Sequence, residues 1–282
     1  MSLTDTYTLS NGIKIPVVGF GTWQTPDGDV AESSTLAAIE SGYRHIDTAA
    51  VYRNEESVGR GIAKSGVPRE ELFITTKLWN DAHGYEEAKK ALDDSLAKLG
   101  LDYVDLYLIH WPNPKALRDN WEQANAQAWK AMEKALEEGK VRAIGVSNFH
   151  PHHIDALLKT AKVKPMVNQI LVNPSDQQEV LVDYNKKHDI LTQAYSPLGT
   201  GKIFAVESLS EIATKYNKSV AQVVLRWSLQ KGFNPLPKSV TPERIKENGE
   251  LFDFELSQED MAFISSLHGV AGLAKNPDEV DF

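Results

Sequence analysis

The chain of 282 residues contains no cysteine. Disulfides, thiolate nucleophiles and cysteine-ligated metal sites are therefore excluded. No apolar run approaches the ~18 residues that a transmembrane helix needs. The opening MSLTDTYTLSNG lacks a basic segment followed by an apolar one, so no secretion signal is expected. Together these absences predict a cytoplasmic protein without a membrane partner. Positive charge is scarce: 30 Lys and Arg stand against 39 Asp and Glu, a net charge of -9. A nucleic-acid partner, which needs a basic face, is not expected. The dinucleotide fingerprint G-x-G-x-x-G is also missing. GFGTWQ has only its first two glycines, and GTGKIF lacks the third.

What the chain does have is alternation. TYTLSNGIKIP alternates around Asn-Gly and predicts a hairpin. Strand-like runs follow: VVGFGT, RHID, LFITTK, YVDLYLIH, VRAIGVSN, PMVNQI, ILTQAYS and FNPLPKS. Several are nearly continuous in apolar residues, as strands covered on both faces are. Segments of helical spacing separate them, such as GYEEAKKALDDSLAKLG and WEQANAQAWKAMEKALEEG, and Gly42, Gly100 and Gly139 supply stops. About eight such units predict an α/β chain folded as a (β/α)8 TIM barrel, with the N-terminal β-hairpin closing its bottom. A doubly wound open sheet is the alternative. No linker or low-complexity tract divides the chain, so residues 1–282 are expected to form one domain.

The strands end in polar or aromatic groups: Asp47, Lys77, His110, Ser147 with Asn148, Gln169, Tyr195 and Lys238. In a parallel barrel these ends share the rim that carries active sites. A single polar strand end is usually a solvated edge, and Asp47 with Tyr52 could be a capped turn under an aromatic lid. As a group, Tyr52, Lys77, Asp47 and His110 suit one task, which is protonating a carbonyl oxygen as charge grows on it. An ammonium beside the phenol favours its anion, and a carboxylate would hold that ammonium charged. No side chain here can deliver electrons, so a cofactor must bring hydride. In LPKSVTPERIKEN, Lys238, Ser239 and Arg244 surround a helix start with Thr241 as N-cap and Pro242 as first residue. This is either a phosphate site or a solvated helix end.

The motifs GFGTW, GYRHIDTAAVYRNEESVG, ITTKLW, LGLDYVDLYLIHWP, GKVRAIGVSNF, NQILVNP, AYSPLG and LPKSVTPERIKEN together resemble the aldo-keto reductases along nearly the whole chain. The likeness points to the bacterial 2,5-diketogluconate reductase-like branch. It implies a barrel that binds NADPH without a dinucleotide-binding domain and reduces small dicarbonyls, keto sugars or aldehydes as a monomer. It makes Tyr52 the general acid, Lys77 and Asp47 its tuners, and His110 the donor that orients the carbonyl. It places Ser147, Asn148 and Gln169 at the nicotinamide carboxamide and Tyr195 against the nicotinamide ring. Ser196 and Leu198 fall on the segment over the pyrophosphate, LGTGKIF. Lys238, Ser239, Val240 and Arg244 fall at the 2'-phosphate, and Glu247 and Asn248 at the adenine.

Trp23, Trp79 and Trp111 are expected to wall the substrate pocket, while Trp121, Trp129 and Trp227 sit in helical patterns and are expected in the core. The polar tail GVAGLAKNPDEVDF is too short for a long cap, which predicts a small, fairly open site. HPHHID, residues 150–155, has histidines at the start of a helix, and no metal site is expected there. Two other readings stay open. One is a cofactor-sensing protein that binds NADPH with little turnover. The other is a hydrolase using Asp47 with a second carboxylate ~5 Å away.

Overall fold

In the computed structural model, which describes residues 2–282, eight parallel strands curl into a cylinder. A two-stranded antiparallel hairpin precedes them, β1 (Thr6–Thr8) and β2 (Lys14–Pro16). Gly12 turns it with φ 87°, the left-handed conformation that glycine adopts at no steric cost. The hairpin lies across the N-terminal end of the cylinder. Tyr7 donates to the Phe233 carbonyl at 3.1 Å and Asn11 to that of Arg142 at 2.9 Å. Phe233 immediately precedes β10 and Arg142 is the second residue of β7, so the bottom is closed as expected.

The barrel strands are β3 (Phe20–Gly21), β4 (His45–Asp47), β5 (Phe73–Leu78), β6 (Val104–Ile109), β7 (Val141–Ser147), β8 (Val167–Leu171), β9 (Leu191–Tyr195) and β10 (Asn234–Pro235). Each pairs in parallel with its neighbour in chain order. The cylinder closes where Gly19 N–H donates to Pro235 O at 3.0 Å and Gly21 N–H to Pro237 O at 2.9 Å. The closed (β/α)8 arrangement replaces the open-sheet alternative. Strands β5 and β6 are buried at every position, as strands covered on both faces are.

Helices α1 (Asp29–Glu40), α2 (Glu55–Lys64), α3 (Tyr85–Leu99), α4 (Trp121–Glu137), α5 (Pro151–Leu158) and α6 (Glu179–Lys187) each connect successive strands. Two helices, α7 (Glu207–Tyr216) and α8 (Val220–Gln230), connect β9 to β10. After β10 come α9 (Pro242–Glu247) and α10 (Gln258–Ser266). Gly42, Gly100 and Gly139 take positive φ just past α1, α3 and α4, the stop role their positions predict. Among the described residues no helix is long and apolar enough to cross a membrane. Trp129 and Trp227 are fully buried in the core, as their helical spacing predicts. Trp121 is not: it is half-buried at the start of α4, edge-on to His152 and His153.

Candidate active site

Register places the chemistry at one level of the rim. Gly21 of β3 pairs with Asp47 of β4, and Asp47 with Thr75 of β5. Two residues on, Lys77 projects from β5 to the same side, because side chains alternate along a strand. Lys77 is wholly buried. Its ammonium donates to Asp47 Oδ1 at 2.6 Å, to the Thr48 carbonyl at 2.8 Å and to the Tyr52 oxygen at 3.3 Å. All three of its N–H groups therefore have acceptors. Tyr52 stands on a short 3-10 turn, Ala50–Tyr52, just past β4. Its ring lies 5.9 Å from that of His110 and nearly perpendicular to it. The four groups predicted from distant parts of the sequence thus converge.

The electrostatics differ from the sequence-based expectation in one respect. Burial, reinforced by the Asp47 charge, pushes the Tyr52 phenol well above its ordinary pKa. Lys77 does not reverse this, because its charge is already answered by Asp47 at 2.6 Å and burial draws its own pKa down. Tyr52 is therefore a neutral phenol whose oxygen accepts from Lys77, so its own proton can point elsewhere. His110 is held neutral by burial and by the Lys77 charge. Its Nδ1 is buried and has no protein partner.

Asp47 Oδ2 accepts from Gln169 Nε2 at 2.8 Å, and the same nitrogen bonds Gln193 Oε1 at 2.5 Å. Both Asp47 oxygens are thus occupied. The nearby buried acid Glu55 bonds Thr76 and Ser95 instead. Thr76 faces away from Lys77 on β5, so Glu55 lies behind the strand. Glu55 is therefore not the second acid that a paired-carboxylate hydrolase would need.

A polar row continues around the rim. Ser147 donates to Gln169 O at 2.8 Å. Asn148, at φ 60°, donates to His110 O at 3.0 Å and accepts from the Tyr195 hydroxyl at 2.8 Å. Ser196 also takes a left-handed conformation, φ 46°. Half-buried Leu198 opens the segment Gly199–Ala205, where Thr200 and Gly201 break the helical path. Beyond β10, exposed Lys238 donates to the Gln24 carbonyl at 3.2 Å. Ser239 Oγ accepts from Thr241 N–H, and Thr241 and Pro242 are N-cap and first residue of α9 as predicted. Val240 and Arg244 are exposed beside them, Glu247 is half-buried and Asn248 buried. Among the described residues neither Lys238 nor Arg244 has a carboxylate partner. Two unanswered cations and a hydroxyl at one end of the row, with amides and hydroxyls at the other, suit an extended, phosphate-bearing dinucleotide.

The expected wall is partly assembled. Trp79 lies edge-on to His110 at 5.2 Å. Trp111 is buried, whereas Trp23 is 45% exposed. Sequence reasoning missed Phe282, which stacks on Trp79 at 6.0 Å and meets Trp111 edge-on at 5.2 Å. The polar tail therefore brings an aromatic ring to the site. It also missed Gln193, whose only sequence signal was its place one turn of the pleat before Tyr195. HPHHID begins a helix as expected, and His152 and His153 both reach Asp278 of the tail, at 3.0 and 2.8 Å.

Comparison with known proteins agrees with this geometry. The family model described as "Aldo/keto reductase family" matches residues 17–268. A glyoxal reductase of Bacillus subtilis is 51% identical over 281 residues, covering 100% of this chain and 99% of its own. Methylglyoxal reductase DkgA of Yersinia pestis is 44% identical, covering 99% of this chain and 98% of its own. The crystal structure of a Bombyx mori aldo-keto reductase in complex with NADP superposes with TM-score 0.83 at 42% identity, covering 92% of this chain and 91% of that one. On fold, rim and sequence alike, the chain belongs to the aldo/keto reductase family.

Proposed function

We propose that the protein is an NADPH-dependent reductase of small carbonyl compounds, with glyoxal and methylglyoxal as the first substrates to test, working as one barrel domain. The observation that carries this reading is the state of Tyr52. Its oxygen accepts from Lys77, leaving the phenolic proton unclaimed beside the neutral ring of His110. NADPH, when bound, supplies the hydride. Tyr52 then gives its proton to the substrate oxygen, and Lys77 stabilises the phenolate left behind. Asp47 keeps Lys77 charged and aimed. His110 donates an N–H to the same carbonyl and fixes its direction.

Ser147, Asn148 and Gln169 are assigned to the nicotinamide carboxamide and Tyr195 to its ring. Ser196 and Leu198 are assigned to the pyrophosphate, and Lys238, Ser239, Val240 and Arg244 to the 2'-phosphate. Glu247 and Asn248 are assigned to the adenine, and Trp23, Trp79 and Trp111 to the substrate wall. The names of the bacterial relatives support the substrate class, and the NADP-bound silkworm structure supports the cofactor. The test is NADPH oxidation across glyoxal, methylglyoxal, keto sugars and aromatic aldehydes. Turnover on dicarbonyls is expected. Tight NADPH binding with no turnover on any of them would favour a sensor instead.

A further inference from the structure

After α10 the chain crosses the barrel mouth as a strap. On one side Ser175 Oγ accepts from Ala271 N–H at 2.8 Å and donates to Gly272 O at 2.6 Å. Asp176 accepts from Ala274 N–H at 2.9 Å. A Cβ on Gly199 would stand 2.6 Å from that of Ala271, so the strap lies directly on the segment after β9. On the other side Arg118 donates to Val280 O at 2.6 Å, and Lys115 N–H to Phe282 O at 2.9 Å. Between these anchors sits Asp278. Its Oδ1 receives Asn113 Nδ2 and His153 Nε2, both at 2.8 Å, and its Oδ2 lies 3.0 Å from His152 Nε2.

Two imidazoles and a carboxylate whose ligand atoms lie within 4.8 Å of one another also suit a divalent metal ion. The His153 tautomer argues against one. Its Nδ1 accepts the His150 backbone N–H at 3.0 Å, so its proton is on Nε2, the atom that faces Asp278. A protonated ring nitrogen donates a hydrogen bond and cannot ligate. The carboxylate thus accepts from Asn113 in the loop after β6 and from His153 at the start of α5, with the His152 ring beside it.

We propose that Asp278 is a positioning residue for substrate selection: its hydrogen bonds from Asn113 and His153 lock the strap so that Phe282 completes the aromatic wall with Trp79 and Trp111. The wall then admits small dicarbonyls and excludes bulky aldehydes. This rests on the reductase reading above. The strap's backbone bonds at Lys115 and Arg118 fix only the main chain near Phe282, whereas Asp278 is its side-chain tie to the rigid start of α5.

The experiment compares kcat/KM for glyoxal with that for 2-naphthaldehyde in wild type, Asp278→Ala, Asp278→Asn, Phe282→Ala and the Asp278→Ala/Phe282→Ala double variant. The preference for glyoxal is expected to fall about tenfold in Asp278→Ala, through KM rather than kcat. Asp278→Asn, which keeps one acceptor oxygen, should lie between. The double variant should match Phe282→Ala alone, because both changes remove one wall. An unchanged preference in Asp278→Ala, an equal loss on both substrates, or full additivity would overturn the proposal. So would a comparable shift in wild type on adding zinc chloride or EDTA, which would make the cluster a metal site. If wild type reduces no carbonyl, the reductase reading has failed by itself. Hydrogen exchange at the Lys115 amide still decides the anchor: faster exchange in Asp278→Ala supports it, and unchanged exchange refutes it.

Discussion

The Lys77 ammonium donates to the Tyr52 oxygen at 3.3 Å while holding Asp47 at 2.6 Å. The phenol is thus a hydrogen-bond acceptor from one side and a free donor on the other. That polarity leaves the proton for a substrate, whereas a structural tyrosine can spend its hydroxyl on a neighbour. Tyr43 is such a case, donating to Ile245 O at 3.0 Å.

Replacing Tyr52 with Phe removes that proton and little else. Turnover on glyoxal should fall by about 10²- to 10⁴-fold, the usual contribution of a positioned general acid. NADPH affinity, followed by fluorescence titration, should stay within about twofold, because no assigned cofactor contact is lost. A variant that kept most of its kcat would remove Tyr52 from the mechanism.

Lys77→Met should strip Asp47 of its counter-charge in a site with almost no exposure. An unpaired buried charge costs about 3–5 kcal/mol, to be read from urea unfolding. The double variant Lys77→Met/Asp47→Asn should recover part of that loss, because no charge remains to be stranded. Equal losses in the single and double variants would mean that packing, not the ion pair, dominates.

Acid should destabilise the fold well before carboxylates titrate. Burial lowers His45 to about 3 and His83 and His153 to about 4, against an ordinary 6.5. His110 is lowered too. Once unfolded, each regains a proton near 6.5 that the native state refuses. The unfolded state therefore binds more protons, and stability falls as pH drops from about 6.5 toward 4. Each histidine adds a slope of up to about 1.4 kcal/mol per pH unit. Urea midpoints at pH 7.5, 6, 5 and 4.5 check this, and a flat profile across that window would contradict it. Because burial and the Lys77 charge hold His110 well below its ordinary 6.5, kcat should show no break near pH 6.5 from its protonation.

Arg244→Ala and Lys238→Ala should weaken NADPH far more than NADH. A charge-assisted bond to a phosphate contributes about 1.5–3 kcal/mol, roughly 10- to 100-fold in affinity. The wild-type preference should also shrink as salt rises, since both side chains are exposed. Equal weakening of both coenzymes would place the 2'-phosphate elsewhere.

The barrel was legible because its signals are local. Strand runs, helix spacing and stop glycines each lie within one element, and every predicted barrel strand is present. The rim was legible because a polar residue ending an apolar run has one place to go in a parallel barrel. The strap was not. Asp278 meets His153 across 125 residues, and no periodicity carries such a pairing. Trp121 shows the limit of pattern reading: its helical spacing predicts the core, yet its ring stands beside His152 and His153 under the strap. The Tyr52–Lys77 electrostatics failed for another reason. Sequence names the charges but not how deeply they are buried, and here burial outweighs attraction.

The junction of β3 with β10 has a mechanical meaning. Residues 235 and 237 are both proline and present carbonyls to Gly19 and Gly21, but proline has no N–H to return. Backbone bonding across this one seam runs in a single direction, so it is the natural place for the staves to part first. Lys238 already reaches over it to Gln24 O. A phosphate gripped by Lys238 and Ser239 would therefore act as a hoop, and coenzyme should slow amide exchange at Gly19 and Gly21, where the ring is thinnest.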